Sequence, residues 1–191
     1  MLKNIIICIT LTLVSLTSFA KEVEEIEQYL NNIKTFKAGF LQLDSSDNLV
    51  EGVIMISKPG KFKWDYKSQP IQIISDGKTV IFYDKELKQS SFLEVKDSIA
   101  SLLAEENLVI KRDLNILDFK TDENGTILTI EKPNKKDVKE MSLYFKHEPF
   151  TIKRIDVLDY NNNKIEINLF DLVINEKIPS SEFVIIDTRL N

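Results

Sequence analysis

The chain has 191 residues, of which 43% are hydrophobic and 29% are charged, with five Gly, five Pro, one Cys and one His. This composition excludes a fibrous, collagen-like, disulfide-rich or wholly disordered protein, and the length suits one domain with a sizeable core. The formal net charge is −5, and the basic residues are scattered among more numerous carboxylates. A nucleic acid is therefore not an expected partner.

The N-terminus has the features of a cleaved secretory signal. A basic residue precedes an apolar stretch at 5–16, and the small residues Ser18 and Ala20 suit a cleavage site directly after Ala20. Thr and Ser interrupt this stretch, which is shorter than the about 20 apolar residues of a transmembrane helix. A lipoprotein signal, the alternative, needs a Cys at the cleavage point, whereas Cys8 lies within the apolar stretch. We expect residues 21–191 to form one exported domain without cysteine.

An amphipathic helix is predicted at the start of this domain. Its apolar residues recur at steps of three or four, with glutamates between them near the N-terminal end; they are Val23, Ile26, Tyr29, Leu30 and Ile33. This spacing is the period of an α-helix, and the acidic end suits the helix dipole. From Phe36 the apolar period changes to two, which predicts a strand.

Strand patterns separated by turn signals then repeat along the chain. The further predicted strands are Leu49–Ser57, Lys61–Tyr66, Ile71–Ser75, Thr79–Tyr83, Gln89–Val95, Ile116–Thr121, Thr126–Glu131, Met141–Lys146, Thr151–Asp159, Lys164–Val173 and Phe183–Ile186. Asp97 is the expected N-cap of a short helix that contains Leu102 and Leu103. The segment 108–118 fits either a helix or a strand. The isolated glycines, Gly52 among them, suit turns or bulges.

These elements predict an α+β fold with about ten antiparallel strands and two or three helices. A sheet of that size must curl, because so few helices cannot cover it as one flat layer. In Lys61–Tyr66 the aromatic residues Phe62, Trp64 and Tyr66 share one face, and charged residues share the other. This alternation indicates one dry, concave face and one wet face, with the helices filling or covering the concave one.

Few residues could support catalysis. His147 is the only imidazole, it lies in a predicted turn where solvent exposure is expected, and no GxSxG elbow accompanies it. One His and no Cys after the signal leave only carboxylates for a metal, without a calcium-loop spacing. The glycines form no phosphate-binding loop. A carboxylate pair for hydrolysis stays an alternative, but the sequence favours a binding protein.

The most distinctive stretch is KPGKFKWDY at Lys58 to Tyr66, followed by SDGK at Ser75 to Lys78 and by Phe82 to Asp84. Together with FKAGFLQ at Phe36 to Gln42 and FDLVINEKIPSSEF at Phe170 to Phe183, it resembles the outer-membrane lipoprotein carrier family, the LolA proteins of the bacterial periplasm. The resemblance implies a single-domain, unclosed half-barrel of antiparallel strands, about ten or eleven in number, whose hydrophobic concavity is lidded by helices.

The resemblance also implies a function. Members of the family collect triacylated lipoproteins from an inner-membrane ABC transporter and carry them to an outer-membrane acceptor, without a cofactor, a metal or a chemical step. A periplasmic monomer is then expected. Two alternatives stay open: an adaptor or sensor that uses the same half-barrel to bind a lipid or a protein, and a hydrolase with an unrecognised carboxylate pair.

Site residues follow from the same resemblance. A basic residue, usually Arg, precedes the Pro of this motif in the family and hydrogen-bonds the lid, so Lys58 is the candidate lid latch. Phe62 and Trp64 match aromatic positions that line or border the family cavity. Further cavity candidates, chosen by strand parity, aromatic size or position on the short helix, are Phe36, Phe40, Tyr66, Phe82, Tyr83, Leu102 and Leu103.

Overall fold

The computed structural model describes residues 20–93, 99–133 and 138–185. Helix α1 spans residues 20–32. The remaining elements are β1 Thr35–Asp44, β2 Leu49–Ser57, β3 Lys61–Tyr66, β4 Ile71–Asp76, β5 Val80–Asp84, β6 Gln89–Leu93, α2 Ile99–Leu103, α3 Ile110–Asp113, β7 Asn115–Asp122, β8 Gly125–Glu131, β9 Glu140–Lys146, β10 Thr151–Leu158, β11 Lys164–Ile174 and a 3₁₀ helix Ser180–Phe183.

Most of the predicted elements are present. Each predicted strand up to the one at Lys164 is found, and its described ends differ by at most one residue from the prediction. The segment 108–118, for which the sequence fitted either a helix or a strand, contains both: the helix α3 and, after one residue, the start of the strand β7. The predicted signal up to residue 19 and the predicted cap Asp97 lie outside the described residues.

All eleven strands form one sheet in the order β6-β5-β4-β3-β2-β1-β11-β10-β9-β8-β7. Neighbouring strands are antiparallel, and β1 joins the two halves of the sheet by pairing with both β2 and β11. Strands β6 and β7 follow each other in the chain but lie at opposite edges, so the sheet is unclosed. The chain between these edges carries α2 and α3. The α+β, unclosed half-barrel prediction is therefore confirmed.

The concave face of the sheet carries the main core. Alternate residues of each strand point to this face, and they pack with apolar residues of α1 and of the segment 99–114. We call α1 and this segment together the lid. Its buried core residues are Val23, Ile26, Leu30, Ile33, Ala100, Leu102, Leu103, Ala104, Leu108, Ile110 and Leu114. Amphipathic helices cannot bury this much apolar surface alone, so the lid and the sheet stabilise each other.

The convex face holds a smaller apolar site beneath the C-terminal segment. Ile74 and Ile81 are register partners that point away from the main core, and both are buried. The 3₁₀ helix contacts β3 and β4, its Phe183 is buried, and Lys63 forms an ion pair with Glu182 at 3.0 Å. The predicted strand Phe183–Ile186 is wrong over its described residues 183–185, because Phe183 ends a helical turn that docks on the sheet face and these residues join no strand.

Candidate functional site

Three aromatic side chains form the floor of the concave face. The Phe40 ring centroid lies 5.0 Å from that of Trp64 and 5.4 Å from that of Tyr66. Phe40 is fully buried and Trp64 is 6% exposed. These residues come from β1 and β3, and Gly52 of β2 lies between them as the register partner of both Phe40 and Tyr66. The absence of a side chain on the middle strand lets the aromatic rings meet across it.

Gly52 therefore has a packing role within a strand. The sequence predicted only that this glycine suits a turn or a bulge. A Cβ atom at this position would lie 2.4 Å from Phe40 Cζ and 2.4 Å from the carbonyl oxygen of Asp65. Both distances are too short for a methyl group. The Asp65 oxygen cannot easily move away, because it belongs to the backbone. The apolar pattern of a single strand does not reveal this requirement for glycine. The requirement depends on which residue of the neighbouring strand lies opposite position 52.

We predict that Gly52→Ala lowers the free energy of unfolding by about 1–3 kcal/mol, because the added methyl group overpacks the aromatic floor. Chemical denaturation followed by circular dichroism measures this change. Val53→Ala on the convex face of the same strand is the control and is expected to change stability by less than about 1 kcal/mol. Equal effects of the two substitutions would contradict the assigned role of Gly52.

An open cleft continues the concave face beyond this floor, at the end where β1 stops and β2 begins. It has a volume of about 610 Å³. Its lining is mixed. The polar lining residues are Gln42, Asp44, Asp47, Asn48, Ser68 and Gln69, and the apolar or aromatic ones are Leu49, Val50, Tyr66, Ile71, Ile73 and Phe82. The hydroxyl of Tyr66 donates to Gln42 Oε1 at 3.2 Å. Within residues 20–93, 99–133 and 138–185, no element covers the sheet at this end.

The lid is attached to the rest of the molecule, and its two parts to each other, by a small set of polar bonds. The Gly60 backbone N–H donates to the Ala104 carbonyl at 2.9 Å, which ties the loop between β2 and β3 to the end of α2. Asn31 of α1 exchanges two hydrogen bonds with the backbone of Leu108, at 2.8 and 3.0 Å. The Ile110 N–H donates to a Glu27 carboxylate oxygen at 2.7 Å. α1 and residues 104–110 are therefore held as one unit.

Lys58 lies at the junction of the lid and the sheet, directly after β2. Its Nζ donates to the carbonyl oxygen of Leu30, in the last turn of α1, at 2.7 Å. This carbonyl belongs to the helix end that lacks intrahelical partners and favours a cation. Partial burial, with a smaller contribution from the charge of Lys34, lowers the pKa of Lys58 to about 8, while Glu105 opposes the shift. Lys58 thus contacts the lid through the end of α1.

This lowered pKa predicts a pH-dependent stability. Below pH 8, Lys58 carries its charge in both the folded and the unfolded chain; between about 8 and the ordinary value of 10.5, the folded chain alone has released the proton. The contribution of Lys58 to the free energy of unfolding should therefore rise with pH across this window, by about 1 kcal/mol or less, since the group is partly solvated. Denaturation of wild type and Lys58→Met at several pH values measures it, and a difference that is flat or falls would contradict the prediction.

A second aromatic group anchors α1 to the other half of the sheet. Tyr29 packs edge-on against Phe145 and Phe150, with centroid distances of 5.8 and 5.4 Å, and these two rings stack at 5.3 Å. The Tyr29 oxygen accepts from the Ile152 N–H at 3.2 Å and lies 3.0 Å from Thr151 Oγ1. Tyr29 lies on the predicted apolar face of the helix, but no sequence pattern predicts its contact with Phe145 and Phe150, because they are more than a hundred positions away.

The structure places most of the predicted cavity residues on the concave side. Phe36, Phe40, Phe62, Trp64, Leu102 and Leu103 are buried in the main core, and Tyr66 and Phe82 line the open cleft. Tyr83 is an exception, since it pairs with Gln72 on the convex face while Phe82 pairs with Ile73. Adjacent strand residues point to opposite faces, so Phe82 and Tyr83 cannot both line the concavity, and the prediction for Tyr83 is wrong.

Over residues 20–93, 99–133 and 138–185, no helix is both long and apolar enough to span a membrane. His147 lies in the exposed turn between β9 and β10, as predicted, with Nε2 at 3.0 Å from Thr126 Oγ1. The fold and the site together define an open half-barrel protein with an apolar interior beneath a helical lid.

Comparison with known proteins identifies the family. The family described as outer membrane lipoprotein carrier protein LolA matches residues 31–186, so the chain belongs to that family. This confirms the resemblance seen in the motifs. The family consists of periplasmic lipoprotein carriers with chaperone function in outer-membrane lipoprotein localisation.

Individual relatives agree with this assignment. The outer-membrane lipoprotein carrier protein of Pseudomonas fluorescens is 27% identical over 186 residues, which cover 91% of this chain and 89% of that protein. The protein of the same name from Nitrosomonas europaea is 36% identical over 111 residues, which cover 52% of this chain and 53% of the relative. The crystal structure of a LolA superfamily protein from Nitrosomonas europaea has a TM-score of 0.50 at 11% identity, covering 84% of this chain and 96% of that chain. At that identity it shows a shared fold.

Proposed function

We propose that this protein is a periplasmic carrier of acylated lipoproteins. It accepts them from an inner-membrane ABC transporter, shields their acyl chains on its concave face, and delivers them to the outer membrane. The carriers it resembles are named for this transport. The observation that carries the proposal is the pairing of an apolar concave face with a separate lid that is attached by a few polar bonds and leaves one end of the face open.

The physical need for such a site follows from the cargo. Each methylene group moved out of water contributes about 0.8 kcal/mol, so one long acyl chain in water costs on the order of 10 kcal/mol. A carrier must therefore supply enough apolar surface to bury an acyl chain of this length. It must also cover this surface when empty, because a large exposed apolar patch promotes aggregation. The lid meets the second requirement with its own apolar residues, which occupy the concave face until acyl chains replace them.

Delivery needs no chemical step in this scheme. Acyl chains and lid residues compete for the same concave face, and the chains leave when an acceptor at the outer membrane binds them better. Polar bonds of the lid, such as that from Lys58 to Leu30, favour the closed, empty form. The protein therefore acts as a binding protein, without a cofactor and as a monomer, and its cleavable signal directs it to the periplasm.

A transfer assay tests the proposal. The protein purified from the periplasm is mixed with vesicles that contain the transporter and a triacylated lipoprotein, and the soluble fraction is analysed after addition of ATP. We expect a soluble one-to-one complex with ATP and none with a non-hydrolysable analogue. If the lipoprotein stays in the vesicles while the protein still binds a fluorescent fatty acid, the carrier function is wrong and a lipid-binding adaptor or sensor takes its place.

A further inference from the structure

The indole nitrogen of Trp64 is a buried donor that has no partner among the described residues. Trp64 is the only tryptophan of the chain, and its side chain is 6% exposed. Among the residues that the structure describes, no acceptor lies within hydrogen-bond distance of Nε1. The surroundings explain why, since the ring packs on Phe40 and its register partners on the adjacent strands are Ile54 and Ile73.

This state is unusual, both in general and within this concavity. A buried N–H that has lost its water partners carries a free-energy penalty unless an acceptor replaces them, and most buried polar groups in proteins are paired. Other polar aromatic groups around the concavity follow that rule: Tyr66 of β3 donates to Gln42, and Tyr29 of the lid is bonded to the backbone of β10. A Phe at position 64 would fill the interior without such a penalty.

The position of Trp64 relates this donor to the open cleft. Along β3, Trp64 lies one step inward from Tyr66, which lines the cleft, and one step outward from Phe62 in the buried interior. Residues two apart on one strand face are separated by about 7 Å. An acyl chain whose tail runs past Phe62 into the buried interior, with its head end towards the cleft, can therefore place its carbonyl in the region of Trp64 once the lid has yielded.

We propose that Trp64 Nε1 donates a hydrogen bond to the carbonyl oxygen of an ester-linked or amide-linked acyl chain. This inference rests on the proposed function and deepens it, because it names what the concavity recognises besides hydrocarbon. The chain carbonyl loses water when it enters the protein and needs a donor, while the indole N–H needs an acceptor. Each group satisfies the other only in the loaded protein, so the bond favours acyl over alkyl cargo.

Paired lipid probes test the inference. A short-chain diacylglycerol and the dialkyl ether of the same chain length differ only in the carbonyl groups, and binding of each to the full protein is measured by calorimetry. We expect wild type to bind the diacyl probe about threefold to tenfold more tightly, the worth of one neutral hydrogen bond. In Trp64→Phe this ratio should fall to about one. Phe82→Leu, a control in the cleft without a donor change, should keep the ratio even if both affinities fall.

A spectroscopic readout separates the bond from a packing effect. The ultraviolet resonance Raman band of the indole N–H reports its hydrogen bonding, and as the sole tryptophan Trp64 gives the only such signal. The band should shift on loading with the diacyl probe and stay unchanged with the ether. Equal binding of the two probes by wild type, or a preference that persists in Trp64→Phe, would overturn the inference while leaving the carrier function intact. Failure to bind either probe would instead overturn both.

Discussion

Phe40→Ala is expected to lower the free energy of unfolding by about 3–5 kcal/mol, because it removes a fully buried ring and leaves a cavity. The loss reaches further than one side chain. Phe40 contacts both Trp64 and Tyr66 and covers Gly52, so its removal deprives two other rings of their packing partner. Gly52 has no side chain that could move into the cavity, which places the effect at the upper end for a core phenylalanine.

Urea denaturation followed by circular dichroism measures this change, and the next residue supplies the control. Leu41 lies on the convex face and is 38% exposed. Leu41→Ala is expected to cost about 1 kcal/mol or less. If Phe40→Ala does not fold, Phe40→Leu should still lose more stability than Leu41→Ala. Similar losses at the two positions would show that the aromatic floor does not stabilise the half-barrel.

The hairpin pairings within each half of the sheet were accessible from the sequence because local signals determine each hairpin. Period-two patterns between short polar turns identify the strands, and two consecutive strands connected by a tight turn are expected to pair with each other. The central pairing of β1 with β11 joins residues more than a hundred positions apart, and no local signal predicts it. The family resemblance, and not periodicity, supplied the unclosed half-barrel.

The errors also have physical causes. Phe183 lies in an apolar stretch that has strand character locally, but Ile74 and Ile81 offer it a face to cover, so tertiary packing overrides the local pattern. Gly52 reads as an ordinary glycine until the ring opposite is known. Tyr83 could have been excluded from the concavity by parity alone, since Phe82 beside it already faces inward.

The largest functional effect is expected at the lid. Lys58→Leu should leave the fold intact, accept acylated lipoproteins normally and release them much more slowly. The bond from Lys58 Nζ to the Leu30 carbonyl exists only when α1 covers the sheet, and so it stabilises the closed, empty form. Burial of the Lys58 ammonium offsets the gain from its charge, so the bond is given the net worth of an ordinary hydrogen bond, about 0.5–1.5 kcal/mol, and its loss shifts the balance between closed and loaded forms by about threefold to tenfold. The acceptor then competes against a carrier that holds its cargo more tightly.

The transfer rate from the loaded, soluble complex to outer-membrane vesicles is the quantity to measure. Lys58→Arg keeps a cation that can donate to the Leu30 carbonyl, and it should restore transfer, although the planar guanidinium alters the geometry of the bond. Lys61→Leu removes a charge just beyond the same loop and should transfer as wild type does. A transfer rate of Lys58→Leu equal to that of wild type would show that the lid closes without this latch. Slow release together with normal acceptance would instead assign the closing of the lid to Lys58, because a general loss of stability would reduce both steps.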